Sequence, residues 1–426
     1  MMRWIIYLIL LLMLVSPALA VDWSTIKKEA SHSGFTTDAV NPPLVLKWTA
    51  SLRGDTDSSP VVVGDVVYIG SNYGVHALDA STGRELWRNH TNGFVKTVPT
   101  VVDGVVYTAS EDKRFYGFDA KTGAMKWVYP NATSVFSSSP VVVNNLIYAG
   151  TRDGTLYALD TRTGEPVWSK LSARTIESSP AVADGVVYFG NNRGIILAVD
   201  AASGNEKWRY ETSISEIKSA PAIAYGTVFI GSNDGRLYAL NATRGALKWT
   251  YSTGGNIEAS PSVKDGVVFV GSKDSGFYAI DAETGTLRWR YQAAGFIDAS
   301  SAISNNVVYF GSKNNLIYAL DANTGALLWR NTTGSRDKDD ITSPAISGNM
   351  LYAVTHSGTV YAYSSGSQAT PTPAVTPAER ETAVTTATPA VSPAVTPTET
   401  PRAPGFEYAA LVLLIAVLIR RKSGSN

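Results

Sequence analysis

Residues 77 to 87 read ALDASTGRELW, and near-copies return as ALDTRTGEPVW at 158–168, AIDAETGTLRW at 279–289 and ALDANTGALLW at 319–329. A phrase rewritten at fixed spacing marks a repeat architecture, so its period decides more than any single copy. The tryptophans set that period: Trp48, Trp87, Trp127, Trp168, Trp208, Trp249, Trp289 and Trp329 follow one another at 39 to 41 residues. A second column, Pro60, Pro99, Pro140, Pro180, Pro221, Pro261, Ser301 and Pro344, keeps nearly the same step. Eight members in each column mean eight units.

One unit, SSPVVVGDVVYIGSNYGVHALDASTGRELW, holds an apolar run, a Gly-Asp turn, the β-rich VVYIG, a polar turn, the alternating VHALD and a short run ending in tryptophan. β-Branched and aromatic residues suit strands, and Gly with Asn or Asp suits hairpin turns, so the unit is four short strands. No stretch carries a helical period. The predicted fold is all-β: an eight-bladed β-propeller with four-stranded antiparallel blades over residues 44–364.

The two columns are out of phase by one strand. Trp48 precedes the first complete unit, whereas the last, SPAISGNMLYAVTHSGTVYAYSS, has three strands and no tryptophan. The strand around Leu44 to Thr49 is therefore predicted to complete the last blade and close the ring.

The phrase A-x-D-x-x-T-G-x-x-x-W resembles the tryptophan-docking repeat of PQQ-type propellers, the group of quinoprotein alcohol dehydrogenases and the BamB-like assembly lipoproteins. Trp23 and His32 to Phe35 also resemble the lead segment of such proteins. Departures are local: Gly117 for the first Ala, Ser203 for Thr, Asn241 and Arg244 for Asp and Thr, and a last unit largely lost at Ala362. Physically the phrase reads as a clamp. Asp79, Asp119, Asp160, Asp200, Asp281 and Asp321 are expected to cap a turn, the glycine to supply a positive φ, and the tryptophan to lie against the neighbouring blade. Asn241 is expected to cap in the same way.

The ends concern compartment. Residues 1–20 carry Arg3, an apolar run from Trp4 to Val15 and the small-residue sequence SPALA, which fits a secretory signal cleaved after Ala20. A lead segment, 21–43, precedes the propeller. Residues 365–404 are a Thr/Pro-rich linker with almost no large apolar side chains, which cannot bury a core. Residues 405–426 form a tail: Pro404, Gly405 and Phe406, then an apolar run from Tyr408 to Ile419, then Arg420, Arg421 and Lys422. This order resembles the PGF-CTERM sorting tail of archaeal surface proteins. The resemblance implies an archaeosortase-like processing partner and attachment to the membrane through the tail or a lipid that replaces it. A simple C-terminal membrane helix is the other reading, and both put the body outside the cell, at the cell surface.

The balance of 36 Lys and Arg against 36 Asp and Glu gives no field that would draw nucleic acid. With no cysteine there is no disulfide, thiolate metal site or cysteine nucleophile. His32, His76, His90 and His356 occupy unrelated positions of the unit and show no metal-ligand spacing. The resemblance to quinoproteins raises the cofactor PQQ with calcium. Many of those enzymes carry a vicinal disulfide and an inserted ligand set that this chain lacks, so no cofactor and no metal are expected.

The remaining candidate is the face where loops enter each inner strand. Three residues before the proline column stand Asp57, Lys96, Glu177, Lys218, Glu258 and Asp298, and the adjacent turns offer Arg152, Arg193, Lys273 and Lys313. This mixed-charge ring either binds a polar partner or consists of ion pairs between blades, the second being the simpler reading. The run Arg336 to Asp340 lengthens the loop into the last unit. Glycosylation sequons at Asn89, Asn131 and Asn331 are expected in equivalent exposed loops. The chain thus reads as a monomeric, non-catalytic binding or scaffold propeller for a surface protein, peptide or glycan; a PQQ-dependent enzyme and a BamB-like assembly factor are the alternatives.

Overall fold

The computed structural model describes residues 22–334 and 339–366. The signal peptide, most of the linker, the sorting tail with Pro404, Gly405 and Phe406, and Arg336 to Lys338 lie outside the described residues. Every regular element among those described is a strand, and the strands form eight sheets. Blade one is Val61–Val63, Val66–Ser71, Gly74–Asp79 and Glu85–Asn89, each antiparallel to the next, and the pattern repeats around the ring. Its two middle strands are buried almost throughout because each blade is covered on both faces by its neighbours. The outer strands alternate between exposed and half-buried positions, as edges facing solvent do.

The expected ring closure is present. The strand Leu44–Ser51 pairs antiparallel with Thr359–Ser365, placing Trp48 opposite Ala362, so the first strand of the propeller becomes the outer strand of blade eight.

The docking phrase acts as the sequence predicts. Asp79 Oδ1 accepts the N–H groups of Ser81 and Thr82 and the Thr82 hydroxyl at 2.7–3.0 Å with Ser81 Oγ included, while Gly83 donates to the Asp79 carbonyl. Asn241 Oδ1 accepts Thr243 and Arg244 N–H in the same turn of blade five. A β-bulge before each of the seven tryptophans from Trp48 to Trp289 turns the ring toward the next blade, where its indole N–H donates to the carbonyl after that blade's docking residue. Trp208 reaches Ala242 at 2.8 Å and Trp87 reaches Ala120 at 2.9 Å. The ring lies on the docking glycine: a Cβ on Gly245 would sit 2.6 Å from Trp208, and its φ of +69° is one that glycine adopts readily. In several blades a tyrosine of the second strand donates to the same carbonyl, as Tyr188 does to Ala242 at 3.2 Å. That second donor was not anticipated from the sequence. Trp329 faces blade eight, which lacks the phrase, and packs instead edge-on against Tyr363 at 5.5 Å.

The lead segment is an integral part of the ring. Backbone bonds tie it to the inner strands of six blades, all but the third and the eighth: Trp23 with Val62, Ser24 with Val101, Ala30 with Val182, Ser31 with Ile223, Ser33 with Val263 and Gly34 with Ile303. Phe35–Thr36 then adds a short parallel strand to blade seven, and the Asp38 carboxylate accepts Gly348 N–H in blade eight. Tyr309, whose neighbouring blade offers no docking carbonyl, donates to Val40 of this segment at 2.6 Å.

Two titratable side chains of the lead segment are sealed inside. Lys27 is 1% exposed and donates to Ser262 Oγ and, at 2.6 Å, to the Ser301 carbonyl. Burial holds its pKa down to about 7, against the opposing charge of Glu29. Burial likewise holds His32 down to about 3, partly countered by its bond to the Pro221 carbonyl.

Two predictions follow from this packing. Trp208→Ala is expected to cost about 3–5 kcal/mol, as large aromatic truncations do, and Trp329→Ala clearly less because no docking glycine or carbonyl meets it; urea unfolding of both variants checks the contrast. Both lead-segment pKa values are lower folded than unfolded, so the unfolded chain binds the extra proton and stability falls as pH falls. Lys27 sets this loss between 10.5 and about 7, and His32 between 6.5 and about 3, each near 1.4 kcal/mol per pH unit within its window. Melting temperature against pH should flatten in the alkaline window for Lys27→Met and in the acidic one for His32→Leu.

Candidate functional site

The inner strands surround a cavity of about 580 Å³ whose lining includes Asp57, Lys96, Glu111, Arg152, Glu177, Lys218, Glu258 and Asp298. Ile26 of the lead segment also lines it, so the segment that stitches the blades supplies an apolar floor. The channel is thus open toward the loops that enter the inner strands.

A girdle of serines lies between mouth and floor, at the position just before the proline column. Ser139 N–H donates to Ser179 Oγ at 3.0 Å, Ser260 to Ser300 at 3.0 Å, Ser300 to Ser343 at 2.9 Å and Ser343 to Ser59 at 3.1 Å, each bond crossing from one blade to the next. Val98 and Ala220 donate in the same way to Ser139 and Ser260, but interrupt the girdle as acceptors. These hydroxyls line the cavity and have no acceptor of their own among the described residues. The visible signal for this girdle is the serine before the proline column in six of the eight units, Ser59, Ser139, Ser179, Ser260, Ser300 and Ser343.

At the mouth, the predicted mixed-charge ring is assembled largely as ion pairs between blades. Lys96 lies 4.0 Å from Asp57 and 3.4 Å from Glu111, which also holds Arg152 at 3.1 Å. Lys218 sits among Glu216, Glu177 and Glu258 at 3.2, 3.8 and 3.7 Å, and Glu258 also meets Lys273 at 2.7 Å. Lys313 contacts Asp298 at 3.1 Å and Asp340, while His356 lies 2.9 Å from Asp57. Burial alone would lower the Lys218 pKa, but Glu258, Glu216 and Glu177 together raise it; for Glu258, burial is outweighed by Lys273 and Lys218, and its pKa is lowered. Such half-exposed pairs stabilise little each, on the order of 0–1 kcal/mol. Arg193 stands apart, lining no part of this cavity and making no ion pair among the described residues. Glu111, Glu216 and His356 join the ring although sequence alignment of the loops did not select them.

Two of the predicted glycosylation positions sit differently than expected. Asn89 and Asn331 end or lie within outer strands, half-buried, with side-chain amides directed at Gly123 and the Tyr363 hydroxyl; only Asn131 lies in an exposed loop. The sequence placed them together because each follows a tryptophan, but a strand that runs on past the tryptophan keeps the first two in the sheet.

Histidine spacing also concealed a relay. Ser71 Oγ lies 2.9 Å from His76 Nε2, and His76 Nδ1 lies 3.0 Å from Glu85 Oε2. Ser71 is 1% exposed and its oxygen also accepts the Tyr73 N–H, so the hydroxyl is sealed from solvent. In other blades a tyrosine fills the position of His76 and bonds a turn carboxylate, as Tyr116 does Asp112 at 2.5 Å.

Comparison with known proteins agrees with this architecture. A relative from Burkholderia pseudomallei, "Outer membrane protein assembly factor BamB", is 29% identical over 126 residues, 20% of this chain and 33% of that protein. The "Quinohemoprotein alcohol dehydrogenase" of Comamonas testosteroni is 30% identical over 125 residues, 25% of this chain and 18% of that enzyme. The chain's matches therefore span about a third or less of these relatives' own length. Among solved structures, BamB from Moraxella catarrhalis superposes with a TM-score of 0.66 at 18% identity, over 75% of this chain and 99% of that one. A europium-containing methanol dehydrogenase superposes at 0.70 with 13% identity, over 80% and 98%. At such identities the superpositions establish the fold alone. The family model described as "Outer membrane protein assembly factor BamB" matches residues 45–213 and 193–374, nearly the whole propeller, and the chain belongs to that family of PQQ-type repeat propellers.

Proposed function

We propose that the protein is a non-catalytic binding propeller that takes a polar segment of a partner protein, a peptide stretch, into the open end of its channel. The observation that carries this reading is the closed-ended cavity itself: hydroxyls without internal acceptors along its wall, ion-paired charges of both signs at its rim and Ile26 at its floor. A peptide brings the carbonyl acceptors that the serine hydroxyls lack, and the paired rim charges select by position rather than net sign.

A quinone-dependent activity fits these residues poorly. The cavity lining carries Asp57, Glu111, Glu177, Glu258 and Asp298 against Lys96, Arg152 and Lys218, an acidic excess that opposes a cofactor bearing several carboxylates. The Ser71–His76–Glu85 relay is assigned a structural role in place of the tyrosine–carboxylate bond of other blades. The family description supports a second reading, envelope protein assembly of the kind named for the relatives, which uses the same polar channel. We place the protein at the cell surface, held by its tail, and regard Asn131 as the sequon best presented for a sugar.

The cysteine-free chain allows a direct test. A photo-crosslinker on Phe94→Cys, which lines the channel cavity, but not on Thr250→Cys at the outer rim, is expected to capture one partner in cells, and Lys218→Glu is expected to abolish capture. Equal capture from both positions would defeat the reading, as would alcohol oxidation by the purified protein on addition of PQQ and calcium.

A further inference from the structure

One group of departures from the repeat lies together in blade five, on the face opposite the channel mouth. The turn between its first two strands begins with Tyr225, at φ +52°. The other blades place glycine, aspartate or asparagine there, among them Gly64, Asp103 and Asn144, residues that tolerate this left-handed geometry. A bulky aromatic in that region is strained, and such strain collects at functional positions. Tyr225 is nonetheless 64% exposed, so no burial offsets the cost. Its hydroxyl accepts the Gly266 N–H of blade six at 3.1 Å, which pins the ring across the gap between blades with its face open to solvent.

Beside it the usual charge pairing is broken. The cation that precedes the tryptophan pairs with the docking aspartate of its own blade in Lys126–Asp119, Lys207–Asp200 and Arg288–Asp281, at 3.6, 3.3 and 2.7 Å. In blade five the docking residue is Asn241, and Lys248 makes no ion pair among the described residues; it donates at 2.6 Å to Thr227, which stands where neighbouring units carry an aliphatic side chain. Tyr225, Thr227 and Lys248 line one cleft of about 640 Å³ between blades five and six, and across it stand Glu283, also without an ion-pair partner among the described residues, and the Asp281–Arg288 pair.

We propose that this cleft binds a neutral saccharide, one sugar ring stacked on Tyr225. The apolar C–H face of a hexose suits an exposed, fixed aromatic face. Its hydroxyls, each both donor and acceptor, are satisfied by a free ammonium and a free carboxylate facing one another. A cleft in which Asp281 already neutralises Arg288, Lys264 neutralises the further lining carboxylate Asp265, and Lys248 is balanced by Glu283 offers no net field to select a charged ligand. The site is separate from the channel and independent of the partner assigned to it.

The test is calorimetric titration of the purified protein with maltotriose, cellotriose, mannotriose and, as a charged control, trigalacturonate. One of the neutral trisaccharides is expected to bind with Kd of about 1 mM or tighter, and Tyr225→Asn to weaken it about tenfold or more. Because asparagine accepts the left-handed turn, the same variant is expected to melt at or above the parent temperature, separating loss of the site from loss of the fold. Lys248→Met should also weaken binding. No heat with any neutral sugar up to about 10 mM, unchanged affinity in Tyr225→Asn, or tighter binding of trigalacturonate than of every neutral sugar would each overturn the proposal.

Discussion

The structure depends on one contact made seven times: an indole N–H from the outer strand of one blade, given to a backbone carbonyl of the next while the ring covers a glycine. From Trp48 to Ala80 through Trp289 to Ala322 these bonds span 2.8–3.1 Å. Each blade is a thin sheet with two apolar faces and cannot stand alone. The contact fixes the angle at which its face meets the next, so that the buried middle strands interlock rather than slide. It also explains why the docking phrase needs all its parts. The aspartate folds the turn that aims the carbonyl outward, the glycine leaves room for the ring, and the bulge rotates the tryptophan onto both.

A ring built from neighbour contacts has one seam, and here the seam is where the repeat fails. Blade eight carries no docking phrase, so Trp329 and Tyr309 meet a blade without the usual carbonyl acceptor. Two devices compensate. The strand Leu44–Ser51 ties the start of the propeller into its last blade, and the lead segment bonds the inner strands of six blades, from blade one to blade seven, before Asp38 reaches a turn of blade eight. Inner-strand stitching converts a chain of local contacts into one cooperative unit, and it closes one end of the channel in doing so. Stability and the shape of the cavity therefore share a single cause.

The period, the strand count and the closure were all legible in the sequence, because they follow from spacing and alternation. Columns of tryptophan and proline out of phase by one strand leave few other ways to close eight sheets. The lead segment was not legible in this sense: Trp23 and Lys27 belong to no periodic pattern, and backbone bonding to several blades leaves no trace in side-chain chemistry. The charged ring was partly legible. Aligned loops gave Asp57, Lys96, Lys218 and Glu258, whereas Glu111 and His356 arrive from turns of adjacent blades, and only the crossing of blades shows that Lys218 serves three carboxylates. The half-buried Asn89 and Asn331 show the opposite error, since residues that follow a tryptophan look like loop until the strand is seen to run past it.

A repeat protein offers its own internal control, because the other blades show what a position needs for structure alone. By that standard the serines before the proline column are structural, being used blade after blade, and they become available to a ligand only because their hydroxyls face a cavity. Ser71 is structural for the same reason despite its contact with His76, since hydroxyl or amide side chains cap the corresponding turn elsewhere, as Ser110 and Asn191 do. Tyr225, Thr227 and Asn241 fail the test together: each departs from its column, Tyr225 does so against its own backbone preference, and Asn241 leaves Lys248 without the ion pair its counterparts make. Independent drift would scatter such departures over the ring and would favour relief of strain rather than its introduction. Departures that line one cleft or remove the ion pair of a residue lining it, and leave both an aromatic face and a charge unused by the fold, are better explained by something the fold does not contain.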